Sequence, residues 1–174
     1  MNETTEKKEQ DLSGVTLLGN QNTKYEFDYN PDLLEVFKRH YDPMQDDEQI
    51  VNLDCFEFAS RCKKTNQPDY GAVYISYIPG EEGLMIESKS LKLYLFSFQQ
   101  HQDFHETCCH MIMEDLVKVL KPAYLSVYMD FHSRGGVSIL PYSIYADENH
   151  QDLKKAMQIA LMTEIIHHTP RPRL

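Results

Sequence analysis

Along this chain the apolar positions change their period from block to block. Tyr70–Ile78 (Y-G-A-V-Y-I-S-Y-I) is dense in β-branched and aromatic residues, and Gln49–Phe58 alternates; both predict strands. Between them, Ser60–Asp69 is polar and holds Asn66 and Pro68, a loop. Phe104, Cys108, Met111, Ile112, Leu116, Val119 and Leu120 recur at helical spacing, so 103–120 predicts a helix. Asp103 and Glu106 stand three apart at its start as a capping box, and Lys121-Pro122 ends it. Tyr124–Phe131 and Val137–Tyr145 predict two strands around the turn Ser133-Arg134-Gly135-Gly136, with Pro141 marking an edge or a bulge. Asn149–His167, with Leu153, Met157, Ala160, Leu161 and Ile165 apolar, predicts a terminal helix. Upstream, Asn30-Pro31-Asp32 opens a short helix whose apolar face is Leu33, Leu34, Val36 and Phe37. Leu84-Met85-Ile86 reads as extended.

One stretch, Glu87-Ser88-Lys89-Ser90-Leu91-Lys92-Leu93-Tyr94-Leu95-Phe96-Ser97-Phe98, fits both periods. Leu91, Leu93 and Leu95 alternate like a strand, while Leu91, Tyr94, Leu95 and Phe98 fall on one helical face. If it is helical, Ser88 or Ser90 is placed to cap it. Strand, strand, this stretch, helix, strand, strand is an α+β order. Residues 1–12 are polar and read as an arm, Tyr41–Glu48 as a loop and His168–Leu174 as a tail. That leaves a domain over 13–147 followed by a C-terminal helix and tail over 148–174.

Composition narrows the function. Net charge is −10, from 17 basic and 27 acidic residues, which argues against a general nucleic-acid footprint. Neither a long apolar run nor a leader-like start is present, so a cytoplasmic protein without a membrane span is expected. The cysteines, Cys55, Cys62, Cys108 and Cys109, form no Cys-x-x-Cys pair, so no metal site is expected.

Cys62 is the cysteine with chemistry in reach. Arg61, Lys63 and Lys64 flank it, and nearby cations favour a thiolate nucleophile. Asp69, where the loop enters the next strand, suits a proton donor if burial favours its protonated form. Each also has a plain reading as a loop residue. Glu106 reads as a helix-start acid, and its two oxygens also suit a ring amide with its exocyclic amine. Arg134 with Gly135 and Gly136 suits a phosphate, as many ordinary turns do. Cys108 is either a small core residue or a partner for the Cys62 loop. No Gly-x-Gly-x-x-Gly follows a strand, so a Rossmann site is not expected.

Taken together, E-S-K-S-L-K-L-Y, the Cys55-to-Tyr70 segment with Cys62 and Asp69, F-H-E at 104–106 and R-G-G at 134–136 resemble the 7-cyano-7-deazaguanine reductases, nitrile reductases of the tunnelling fold (T-fold). The resemblance spans roughly Leu12 to Tyr145. It implies an antiparallel ββααββ unit with helices on one face, associating into a ring-shaped homo-oligomer with a barrel, and it selects helix for residues 89–99. It implies Cys62 as nucleophile and Asp69 as acid, with Ile86, Glu87, Ser88, His105 and Glu106 at the substrate. It implies Ser88, Lys89, Lys92, Arg134 and Gly135 at NADPH. The activity implied is reduction of the nitrile of 7-cyano-7-deazaguanine to the aminomethyl group for queuosine synthesis in tRNA modification, with no direct RNA contact. The related amidine-forming enzymes and a non-catalytic purine- or pterin-binding oligomer are the alternatives. Phe56, Lys63 and Asn66 depart from the family's usual Pro, Pro and Gly.

Overall fold

A computed structural model describes residues 14–16, 23–39 and 49–167. The expected arm, the Tyr41–Glu48 loop, the tail and most of the turn ending at Gln21 lie outside these residues.

The centre is an antiparallel sheet of β2 (Val51–Cys62), β3 (Pro68–Ile78), β6 (Tyr124–Phe131) and β7 (Tyr142–Ala146), in that order. A two-residue strand β5 (Gln102–Asp103) runs parallel to the end of β2, and a separate ribbon pairs β1 (Val36–Lys38) with β4 (Leu84–Ile86). Alternation sends Val73, Ile75 and Tyr77 of β3 and Leu125, Val127, Met129 and Phe131 of β6 to one face. Helices α1 (Ser88–Phe96) and α2 (His105–Leu120) cover that face through Leu91, Tyr94, Leu95, Cys108, Ile112, Leu116 and Leu120. Burying each large apolar side chain is worth about 1.5–3 kcal/mol, so this layer holds the fold together. Gly71 lets β3 and β6 close up beside the site, since a Cβ there would lie 2.6 Å from the Asp130 carbonyl oxygen.

The ambiguous stretch is helical, as the resemblance selected, but neither serine caps it. Glu87 does, accepting the N–H groups of Lys89 (2.8 Å) and Ser90 (2.7 Å). Several other expectations shift. Asn30 caps only a 3-10 turn, Pro31–Leu33, and Val36 and Phe37 then belong to a strand. Strands β2 and β3 run to Cys62 and from Pro68, so the polar loop between them shrinks to 63–67. The Asp103–Glu106 capping box does not form: α2 begins at His105 after Phe104, and Asp103 Oδ1 instead accepts the Phe104 N–H. β7 starts only after Pro141, at the sheet edge. In α3 (Gln151–His167), Met157 and Leu161 are half-buried, while Leu153 and Ala160, expected on the apolar face, are exposed.

Candidate active site

The site begins with a bulge. Register in β2 shifts between Cys55 and Phe58, inserting one residue against β3. Without it, alternation from inward-facing Cys55 would send Arg61 under the helices. With it, Phe58 and Ser60 face inward, and Cys62 follows on the same side. The hairpin after Cys62 is tight: Asn66 N–H donates to the Cys62 carbonyl and Cys62 N–H to that of Gln67, both at 2.9 Å. Asn66 takes a positive φ of 56°, a region asparagine enters more readily than most residues with a side chain.

Cys62 is half-buried and its thiol is lowered to about 6. The Thr65 hydroxyl is the largest cause, followed by the backbone N–H groups of Thr65 and Lys64, with the Arg134 guanidinium adding to them. The sulfur is therefore mostly thiolate at pH 7. This replaces the expectation drawn from flanking charge. Arg61 turns to Gln100 Oε1 (2.8 Å) and the Asn66 carbonyl, and Lys63 pairs with Asp103 at 3.3 Å. Burial pushes Cys55 up to about 11 and Cys108 up to about 12, so neither competes as a nucleophile.

Asp69 stands opposite Ser60 across the β2–β3 ladder, its side chain 2% exposed. His105 Nε2 lies 3.1 Å from its Oδ2, and the Arg134 guanidinium pairs with its Oδ1. His105, the first residue of α2, stacks flat on Phe131 (centroids 3.8 Å, 9° between planes). Burial lowers its pKa, so the ring is neutral at pH 7. With Nε2–H toward the carboxylate, Nδ1 is left a buried acceptor without a partner, as is the Ser60 hydroxyl. Unpaired polar atoms so close together mark a place where chemistry rather than packing sets the residues. Glu106 is exposed in the first turn of α2, so its carboxylate is available to a ligand.

The remaining residues expected at the site are elsewhere in the same chain. Ile86 N–H donates to the Tyr77 hydroxyl (3.2 Å) at the far end of β3. Tyr77 is eight residues along that strand from Asp69, about 26 Å. Glu87 is buried as the α1 cap, Ser88 and Lys92 are exposed, and Lys89 is half-buried. The expected residues thus fall in two groups: Cys62, Asp69, His105, Glu106, Arg134 and Gly135 lie around the end of β2 and the start of β3, while Ile86, Glu87, Ser88 and Lys89 lie toward the Tyr77 end, and Lys92, farther along α1, comes within electrostatic reach of Glu57 in β2. Ser60 and Phe131 were not legible beforehand, because their place beside Asp69 and His105 depends on the bulge and on the docking of α2. Among the described residues no cluster of His, Cys, Asp and Glu is arranged to hold a metal, and no helix is long and apolar enough to cross a membrane.

A family model described as QueF-like protein matches residues 68–150. NADPH-dependent 7-cyano-7-deazaguanine reductases of Bacillus mycoides, Bacillus cereus and Bacillus anthracis are 56% identical over 137 residues, covering 79% of this chain and 80% of theirs. The chain belongs to the 7-cyano-7-deazaguanine reductase family. A crystal structure of the archaeosine synthase QueF-Like in the apo form shares the fold, with a TM-score of 0.51 and 19% identity over 56% of this chain and 94% of that one. Two departures from the usual 7-cyano-7-deazaguanine reductase pattern now have a physical account. Asn66 supplies the left-handed residue that a glycine would, and Lys63 replaces a rigid proline with an ion pair to β5. Nothing in the structure explains Phe56 beyond its edge-on contact with Tyr74.

Proposed function

We propose that this protein reduces the nitrile of 7-cyano-7-deazaguanine to the aminomethyl group with NADPH, in queuosine synthesis and in the cytoplasm. The observation that carries the reading is a cysteine held as thiolate by its own hairpin, beside a buried aspartate and a neutral histidine. Cys62 adds to the nitrile carbon, and the nitrogen takes a proton, giving a thioimide. Asp69 is the proton donor to nitrogen, with His105 Nε2 fixing its carboxyl. Glu106 accepts the ring amide N–H and the exocyclic amine through its two oxygens.

The donor set fits a phosphate-bearing dinucleotide. Lys89 and Lys92 stand one turn apart on α1, and Arg134 leads into an open loop where a Cβ on Gly135 or Gly136 would meet nothing within 4 Å. Two NADPH bound in turn would each supply one of the two hydrides that a four-electron nitrile reduction needs. The hairpin favours Cys62 as a leaving thiolate.

A complete site draws Ile86, Glu87, Ser88, Lys89 and Lys92 from a neighbouring copy in a ring-shaped homo-oligomer. The distance from Asp69 to Tyr77, which Ile86 contacts, is about 26 Å along eight residues of β3, and supports this. So do two sheet edges left without a strand partner among the described residues, β7 and the part of β2 beyond β5, which can pair between copies and close a barrel. The deciding experiment follows NADPH oxidation with the nitrile present. Consumption of two NADPH per amine formed supports the reading. Amidine formation with ammonia, or binding without turnover, would replace it by one of its alternatives.

A further inference from the structure

Arg134 stands where the proposed chemistry does not want it. Its guanidinium lies against Asp69 Oδ1, reaches the Pro68 carbonyl at 3.5 Å and donates toward the Cys62 sulfur. An arginine in contact with a buried carboxyl favours the ionised form. An acid that is to protonate a nitrogen must first hold the proton. With Arg134 in place, Cys62 is set up for attack and Asp69 is not set up to donate.

The loop that carries Arg134 is short and glycine-rich. His132 N–H donates to the Tyr70 carbonyl of β3. Within the loop, Arg134 pairs with Val137 through both backbone groups at 3.0 Å, and Ser133 with Ser138 at 2.6 Å. Gly135 and Gly136 follow at φ 55° and 83°, in open space. The Arg134 side chain is 34% exposed, whereas the Asp69 side chain is 2% exposed. The guanidinium can swing to solvent; the carboxylate cannot follow.

We propose that Arg134 is a charge switch on the acid: in the free protein it holds Asp69 ionised, and a phosphate group of the dinucleotide draws it away, whereupon Asp69 takes up a proton from solvent. This rests on the NADPH reading above and deepens it. Arg134 is then a positioning residue: the hairpin alone supplies most of what keeps Cys62 a thiolate, and proton delivery needs the guanidinium gone from Asp69. The titratable groups facing Asp69 among the described residues are Arg134 from the loop, His105 from α2 and, through the shared guanidinium, Cys62 from β2. His105 stays neutral, so the proton goes to the carboxylate.

The test needs no turnover. Titrate NADP+ into the full-length protein at pH 7 by calorimetry, in buffers of different ionisation enthalpy, and read the protons taken up on binding. Wild type minus Asp69→Asn cancels the dinucleotide's own titration, and the difference should approach roughly one proton per chain. Arg134→Ala and the Arg134→Ala/Asp69→Asn double variant should differ by none, because no guanidinium remains to be withdrawn. Binding with no Asp69-dependent uptake overturns the switch and leaves the cofactor reading intact. Failure of wild type to bind NADP+ overturns both.

Discussion

His105 Nε2 sits 3.1 Å from Asp69 Oδ2, with the imidazole laid flat on Phe131. The contact ties the first residue of α2 to the second residue of β3, so the docking of the helix and the aim of the carboxyl are one event. Burial lowers the His105 pKa, which has a consequence for stability. The unfolded chain takes up the proton near pH ~6.5, before the folded chain does. Stability from this residue is therefore full above that value and is lost as pH falls toward the folded value. His101 is shifted in the same direction by burial. His105→Phe, which keeps the stacking, should flatten part of the acid limb of a melting temperature against pH curve; an unchanged slope would show that His105 carries none of it.

Cys62 should be alkylated with a pH midpoint of about 6, slowing at lower pH as the thiol is protonated. Thr65→Val removes the largest cause of that low value. The midpoint should therefore rise toward the ordinary thiol range. Arg61→Gln should leave it in place, because Arg61 is engaged with Gln100 and Asn66. A midpoint that tracks Arg61 and ignores Thr65 would restore the flanking-charge explanation.

Without NADPH, the nitrile should still add one substrate mass to the protein, its nitrogen taking a proton from solvent, and Cys62→Ala should abolish the gain. Asp69→Asn should cut turnover by about 10²-fold or more, the usual cost of losing a positioned acid. Normal turnover in that variant, or an adduct mapped to Cys55, would contradict the assignment.

Glu106 has no capping partner and is exposed, so Glu106→Gln should cost no more than the roughly 0.3–1 kcal/mol of a charge near a helix start. It replaces an acceptor with a donor facing the substrate's own donors. Affinity for the nitrile, read by calorimetry, should fall steeply at nearly constant melting temperature. If melting temperature falls and affinity holds, the residue is structural.

The proposed sharing of the site between copies can be tested by mixing. Cys62→Ala damages one half-site and Lys92→Glu the other, and each variant alone should be poorly active. Unfolded and refolded together, they should recover activity, because some interfaces then join two intact halves. Mixtures no better than the variants alone would argue that each chain completes its own site.

Much of this protein is written in local pattern. The strand at 70–78, the long helix ended at Lys121-Pro122 and the Arg-Gly-Gly turn follow from period and from proline and glycine, which act over a few residues. Cys62 and Asp69 were singled out by residue type and by resemblance. The sequence left three things open, and tertiary structure decided them. Residues 88–96 could alternate or wind, and packing on the sheet made them a helix capped by Glu87 rather than by a serine. A single extra residue in β2 put Cys62 and Ser60 on the helix side, and no local signal announces a bulge. What lowers the Cys62 thiol is hairpin geometry, a threonine hydroxyl and two backbone N–H groups, whereas the lysine and arginine beside it in sequence point elsewhere. Charge in sequence is not charge in space: a strand sends neighbouring side chains to opposite faces, and only the folded hairpin decides which donors reach the sulfur.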